Sequence, residues 1–163
     1  MRYLSLILLF LCFLSSCNSP KKTIVFTDAL FTEGIEGPAS NSAGDLFVVN
    51  FLKDGNIGRV LKGGNVIDWY MDLPKGSIGN VIRFLNDTIF YVADYTKHQI
   101  LKVNTNIRYT ATVYASDSIL NQPNDLAIMR NGILFASDPN WKNSNGQIWR
   151  VNKDSSMTLL EQN

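Results

Sequence analysis

The sequence predicts an all-β fold, a β-propeller of four-stranded blades with about three blades present. Three observations predict it. A strand pattern recurs at a constant spacing of 44 residues, hairpin-turn residues sit at the same point of each recurrence, and no segment carries the 3.6-residue period of an amphipathic helix.

The chain opens with a segment to be set apart from the fold. Arg2 is followed by the apolar run Leu4–Leu14, broken only by Ser5. Eleven residues cannot cross a bilayer, which takes about 20 at helical rise. A short apolar core after a basic residue, ending in small residues, has the pattern of a signal peptide. Residues 1–16 are therefore expected to be removed. The ending Leu14-Ser15-Ser16-Cys17 resembles the bacterial lipobox. By that resemblance Cys17 is the lipidated first residue of the mature protein, and the protein is exported and membrane-anchored, at the periplasm or the cell surface. Cys12 lies in the discarded segment, so the mature domain has no thiol for a disulfide, a nucleophile or a metal. Asn18–Lys22 completes a polar tether over residues 17–22, and residues 23–163 form the partial propeller domain.

Each repeat then reads as strand, tight turn, strand, loop, strand, loop, strand. The first recurring set is Leu46–Asn50, Phe90–Asp94 and Leu134–Asp138. The second is Ile57–Val60, Ile100–Val103 and Ile148–Val151, and the third centres on Val66–Tyr70, Ala111–Tyr114 and Met157–Leu160. Ala43-Gly44-Asp45, Asn86-Asp87 and Asn131-Gly132 precede the first set with the residues that tight hairpins need. Four short strands at a period of about 40–50 residues make a propeller blade, whereas a β-solenoid repeats at much shorter periods.

Without Arg2, the 15 basic residues fall to 14, against 14 acidic ones. No like-charge block exceeds Lys21-Lys22, so the basic stripe that nucleic acid requires is missing. The membrane is expected to be met through the lipid anchor only.

Glu36, Asn80 and Asn124 share one phase, 44 residues apart, at the start of each blade. The first strand of a blade is innermost, so these positions ring the central channel at one end. A carboxylate oxygen and two amide oxygens, without His or Cys, suit a hard divalent cation such as Ca2+. The alternative is that each merely caps a turn, since Glu-Gly-Pro, Gly-Asn and Pro-Asn-Asp are all turn-forming.

Glu36-Gly37-Pro38 followed by Gly44–Asn50 resembles the opening blade of the gluconolactonase, senescence-marker-protein and luciferin-regenerating-enzyme family. Pro123-Asn124-Asp125-Leu126-Ala127, with Asn131-Gly132 and Phe135–Pro139, is similar to a later blade of its bacterial members. The resemblance implies a six-bladed propeller with a divalent cation on its axis and, in many members, lactone hydrolysis. It implies that Glu36 is a metal ligand and that Asn124 lies at the metal and substrate site; Asn80 rests on repeat phase. Gln122 stands where members often carry a substrate-contacting Arg, so a neutral amide replaces the guanidinium that would grip a sugar-acid lactone. The family's remaining ligands, and the carboxylate that serves as base, belong to blades beyond residue 163. The catalytic base is therefore unassigned, and the 163-residue chain alone is expected to be inactive, to bind Ca2+ weakly and to self-associate.

Other residues carry structural expectations. His98, the single histidine, falls in a surface loop, so a His-rich zinc site and a Ser-His-Asp arrangement lack support. Asp94 and Asp138 end second strands, where a carboxylate accepts backbone hydrogen bonds from the following turn. Trp141 and Trp149 are expected to pack between blades, with Trp141 placed to reach a pocket mouth as a substrate contact. The expected function is metal-dependent hydrolysis of a lactone or related ester, with a lactone or sugar-derived molecule as substrate. The rival is a non-catalytic propeller that binds a sugar, peptide or protein around a structural cation.

Overall fold

The computed structural model describes residues 31–50, 55–64, 67–107 and 110–162. The signal segment, Cys17, the tether and the strand expected over Thr23–Ala29 lie outside the described residues. Among the described residues there is no helix, and none is long and apolar enough to cross a membrane.

Twelve strands form three antiparallel sheets of four, each sheet in sequence order. The first sheet comprises β1 (Ala39–Ser40), β2 (Leu46–Asn50), β3 (Asn56–Val60) and β4 (Ile67–Asp72). The second comprises β5 (Gly79–Asn86), β6 (Ile89–Asp94), β7 (Gln99–Asn104) and β8 (Ala111–Ser116). The third comprises β9 (Leu126–Ile128), β10 (Leu134–Asn140), β11 (Asn145–Val151) and β12 (Met157–Gln162). All three recurring motifs thus fall on strands at matching places. The register of the outer pairs repeats too: each shifts by one residue at Ile57, Ile100 and Ile148 in turn. A bulge increases local twist, and three equivalent bulges give the sheets a common twist.

Burial follows the strand period. Phe47 and Val49 of β2 join Phe90 and Val92 of β6 in a core between the first and second sheets. The Phe47 ring meets Tyr70, Phe84 and Phe90 at centroid distances of 5.4, 5.1 and 5.8 Å, tilted or edge-on as aromatic quadrupoles prefer. The alternate residues of β6, Tyr91 and Ala93, join Leu134, Ala136, Trp149 and Val151 in a second core between the second and third sheets. The middle sheet is therefore buried on both faces, which explains why β6 reads as a continuous apolar run. In the third sheet, Phe135 occupies the position of Tyr91. With Ala127 and Ile148 it borders an open groove on the side away from the second sheet.

Candidate functional site

The innermost strands β1, β5 and β9 bring their entry segments together at one end. Glu36 precedes β1 and Asn124 precedes β9, but Asn80 lies inside β5, where the sequence pattern placed it ahead of the strand. Gly79 pairs with Asp94 and Val81 with Ala93, so Asn80 is the extra residue of a β-bulge. A bulge frees a side chain from the alternation of its strand and re-aims it. Asn80 is thereby turned toward its two repeat mates.

The contact is direct. Asn80 Nδ2 donates to Glu36 Oε2 at 3.2 Å and to the main-chain oxygen of Asn124 at 3.1 Å. Convergence of the three residues therefore holds, with a difference in which atoms meet. Three side-chain oxygens were expected to face each other; instead an amide nitrogen lies between a carboxylate and a carbonyl. Two acceptors at this spacing require a donor between them, and the Asn80 amide supplies both of its protons. Asn80 is only 4% exposed, whereas Glu36 is exposed and Asn124 half-buried.

Two further residues line the same cavity of about 120 Å³: Arg83 and Asp125. Arg83 Nη2 donates to Asp125 Oδ1 at 2.7 Å, and Nη1 donates to the Ile82 carbonyl at 2.9 Å. Sequence reasoning missed them. Arg83 is three positions from Asn80, so plain alternation assigns the two to opposite faces; the bulge cancels that offset. Asp125 adjoins Asn124 and carried no repeat signal of its own.

Gly37 fixes the approach of the first blade. Its φ is +48°, and an added Cβ would lie 2.7 Å from the Val81 Cα. Its carbonyl accepts the Ile82 N–H at 3.0 Å, a main-chain link between two inner strands. Only glycine combines that φ with that proximity.

The entry segments are held by a repeated latch from the ends of the second strands. Asn50 Oδ1 accepts from the Thr32 N–H and hydroxyl, each at 3.0 Å. Asp94 Oδ1 accepts from the Ile78 N–H at 3.2 Å. Asp138 accepts from the N–H groups of Asn121 and Gln122 at 2.9 and 2.6 Å. The structural role expected for Asp94 and Asp138 is present, but its direction is corrected for Asp138. Its backbone partners are in the loop that enters its own blade, since strand antiparallelism sets the end of β10 beside the start of β9. Asp94 serves both sides, also accepting from Lys97 N–H in the following turn at 3.2 Å.

Trp149 is 2% exposed and donates its Nε1–H to Asp138 Oδ2 at 3.2 Å and Gln147 Oε1 at 3.0 Å. Trp141 departs from the packing expected of it. It is 67% exposed in the β10–β11 turn, because a turn at the strand ends projects beyond the sheet-to-sheet core. It borders a cleft of about 280 Å³ together with Tyr95, His98, Asn121, Gln122 and Asn140. Gln122 Nε2 donates to the Tyr95 hydroxyl at 3.2 Å, tying the third blade's entry loop to the second blade. His98 is exposed in the β6–β7 turn. This cleft opens at the same end as the triad, since first-strand starts and second-strand ends coincide there.

The oxygens of Glu36 and Asn124, and that of Asn80 once its amide is rotated, suit a hard cation in kind. Glu36 and Asp125 bring two carboxylates to the cavity and Arg83 one positive charge. Asn80 can offer Oδ1 or Nδ2, since its amide presents either atom on rotation. Among the described residues, no group of three or more His, Cys, Asp and Glu could hold a metal. A cation here would thus depend on the amide and carbonyl oxygens.

Solved structures with the same arrangement of sheets settle the architecture. A gluconolactonase from Xanthomonas campestris superposes with a TM-score of 0.59 at 17% identity, over 78% of this chain and 47% of that one. The fold is a β-propeller. A nidogen/laminin complex gives a TM-score of 0.65 at 17% identity, covering 79% of this chain and 48% of that chain. A protein from Bacteroides uniformis named for 6-phosphogluconolactonase activity gives 0.54 at 14% identity, over 78% and 40%. The chain thus spans about half the length of the propellers it matches, or less. No protein-family model matches the sequence, and no curated protein does either.

Proposed function

We propose that this chain supplies cation- and substrate-binding blades of an exported, lipid-anchored lactone hydrolase. Glu36, Asn80 and Asn124 hold a divalent cation, Ca2+ by the hardness of the donors. The observation that carries the reading is the meeting of one residue from each of three blades, through hydrogen bonds of 3.2 and 3.1 Å, at a constant spacing of 44 in the sequence. The gluconolactonase named above shares the fold, and the motif around Glu36 and Asn124 resembles that family.

When bound, the cation would supply Lewis-acid polarisation of an ester carbonyl. The chain's own residues do the rest. Glu36 supplies the negative charge that draws a cation to the end of the channel. Asn80, held between Glu36 and Asn124, keeps the two entry segments at hydrogen-bonding distance. Arg83, beside Asp125, offers guanidinium N–H groups that can bind a carbonyl or sugar oxygen, the part that Gln122 cannot play as a neutral amide. Trp141 and Gln122 border the adjoining cleft, where an exposed indole can cover the apolar face of a sugar-derived ring.

A second reading is favoured by one observation. Asp125 is engaged by Arg83 at 2.7 Å and Glu36 by Asn80 at 3.2 Å, so neither carboxylate of the cavity stands free as a base. On that reading the cation is structural and the face binds a sugar, peptide or protein partner. One experiment separates the two. Hydrolysis of aldonolactones and simple γ-lactones by the chain completed with the downstream blades of a full-length relative, measured with Ca2+ and with a chelator, should show metal-dependent turnover that Glu36→Gln abolishes. Ca2+ binding without turnover would transfer support to the second reading, and absence of Ca2+ binding would overturn both.

A further inference from the structure

At the opposite end of the blades, the second and third sheets enclose a cleft of about 430 Å³ lined by Lys102, Arg130, Lys153, Asn86, Asn131 and the Tyr91–Tyr114 pair. We infer that this cleft is a binding site for a phosphate-like multivalent anion, independent of the triad.

The charge balance is the first reason. Three cations line the cleft and no acid does. None of the three takes part in the two ion pairs found among the described residues, Arg59–Asp68 and Arg83–Asp125. Asp154 adjoins Lys153 in sequence, but its carboxylate accepts from the N–H and hydroxyl of Ser156, at 3.1 and 2.7 Å. The side-chain amides add donors only. Asn86 Oδ1 is occupied by Thr88 and Ile89, and Asn131 Oδ1 by the Ile133 N–H, so each retains Nδ2 as its unused group. A site whose available side-chain groups are donors selects an acceptor-rich, negatively charged ligand.

Comparison between repeats gives a second, separate reason. In the first blade Arg59 lies over the Tyr70 ring and pairs with Asp68 at 3.0 Å. In the second blade Lys102 lies over the Tyr114 ring, 5.8 Å from its centroid, in the equivalent place. Thr112, however, faces Lys102 across β7–β8 where Asp68 faces Arg59 across β3–β4. The second blade thus has the cation and its aromatic support without the carboxylate that neutralises Arg59, and the third blade likewise sets a threonine, Thr158, opposite Arg150.

The cleft is also built rather than incidental. Tyr114 OH donates to the carbonyls of Asn152 and Lys153, at 3.1 and 3.2 Å, and so pins the β11–β12 turn against the second blade. Gly132, with a φ of +86°, makes the tight β9–β10 turn that lies beside the Lys153 stem. A cleft of this volume is within the usual size for a small-molecule site.

The test uses the full-length chain in detergent, with inorganic pyrophosphate as probe and isothermal titration as readout. Saturable one-site binding is expected. Arg130→Ala and Lys153→Ala should each weaken it about tenfold, and Lys62→Ala, in the first blade and outside the lining of the cleft, should leave it unchanged. Thr112→Asp restores the carboxylate of the first blade without removing a cation, and should also weaken binding about tenfold. Loss of affinity should be accompanied by an unchanged melting temperature in at least the Thr112→Asp variant. Absence of saturable binding at millimolar pyrophosphate would overturn the inference, as would equal weakening by Lys62→Ala. Binding to phosphatidylglycerol vesicles without binding to free pyrophosphate would overturn it too, by assigning the charge to a lipid surface.

Discussion

Replacing Asp138 by Ala is the sharpest probe of what positions the triad. The carboxylate is 1% exposed and accepts from the N–H groups of Asn121 and Gln122, at 2.9 and 2.6 Å, and from Trp149 Nε1 at 3.2 Å. Trp149 retains Gln147 Oε1 at 3.0 Å, so its indole is not stranded. The two backbone donors have no such substitute, and an unsatisfied buried donor costs about 1–3 kcal/mol. Two of them, less what entering water recovers, give a destabilisation of roughly 2–5 kcal/mol. Asp138→Asn keeps the shape and one acceptor oxygen, and should cost less than half as much. Urea denaturation followed by tryptophan fluorescence measures both, because Trp149 reports on the latch itself. The Ala variant should also loosen the segment that carries Asn124, visible as faster amide exchange over residues 121–125. An Asp138→Ala variant within about 0.5 kcal/mol of the parent, with exchange unchanged, would refute the latch.

Three further outcomes are expected. Gly37→Ala forces a side chain into φ +48° and against the Val81 backbone, and should cost about 2–4 kcal/mol in chemical denaturation; a stability equal to the parent's would show that β1 and β5 are not in close contact. Burial, and then the neighbouring Tyr114, push the Tyr91 phenol up to about 12, from an ordinary 10.0. The neutral phenol is thus favoured in the fold, so its contribution is complete below pH ~10 and is lost as pH rises toward 12; absorbance at 295 nm should show one tyrosine titrating late, and Tyr91→Phe should remove that step. Sensitised luminescence of bound Tb3+, a stand-in for Ca2+, should fall by at least about tenfold in Glu36→Gln, since the change removes the one full charge of the triad; equal emission from both proteins would exclude Glu36 as a ligand.

Most of the architecture was legible because a propeller repeats its constraints. Each sheet must bury one face against the sheet before it and one against the sheet after it. Phe47, Tyr91 and Phe135 therefore share a phase, as do Asn50, Asp94 and Asp138. The meeting of Glu36, Asn80 and Asn124 was legible for the same reason. What the sequence concealed was the atomic detail that a bulge decides. A single inserted residue at Asn80 puts Arg83 into the cavity against the alternation of its strand, and no composition or period signals that insertion. Trp141 borders a cleft rather than packing between blades for a related reason: its apolar character says nothing of its place beyond the last rung of the β10–β11 ladder, where there is no neighbouring sheet to cover it.

Departures from the repeat are therefore more informative than the repeat itself. Positions that only build the blade are interchangeable in kind, so the three sheets can keep them alike. Where one blade carries a charge that the others lack, or lacks one that another carries, a charge is left uncompensated unless something else meets it. Glu36 is the acid among two amides at the triad, and on the proposed reading its negative charge is what draws the cation. Asp68 is the acid where the other two blades carry Thr112 and Thr158, and Thr112 leaves Lys102 positive beside two further cations. The two uncompensated charges have opposite sign and lie at opposite ends of the blades. Salt should accordingly weaken pyrophosphate binding at one end and cation binding at the other by the same screening, while Thr112→Asp acts on the first alone and Glu36→Gln on the second alone. Cross-effects between these variants would mean that the two ends communicate through the middle sheet, whose β5 reaches from Asn80 at one cavity to Asn86 at the other.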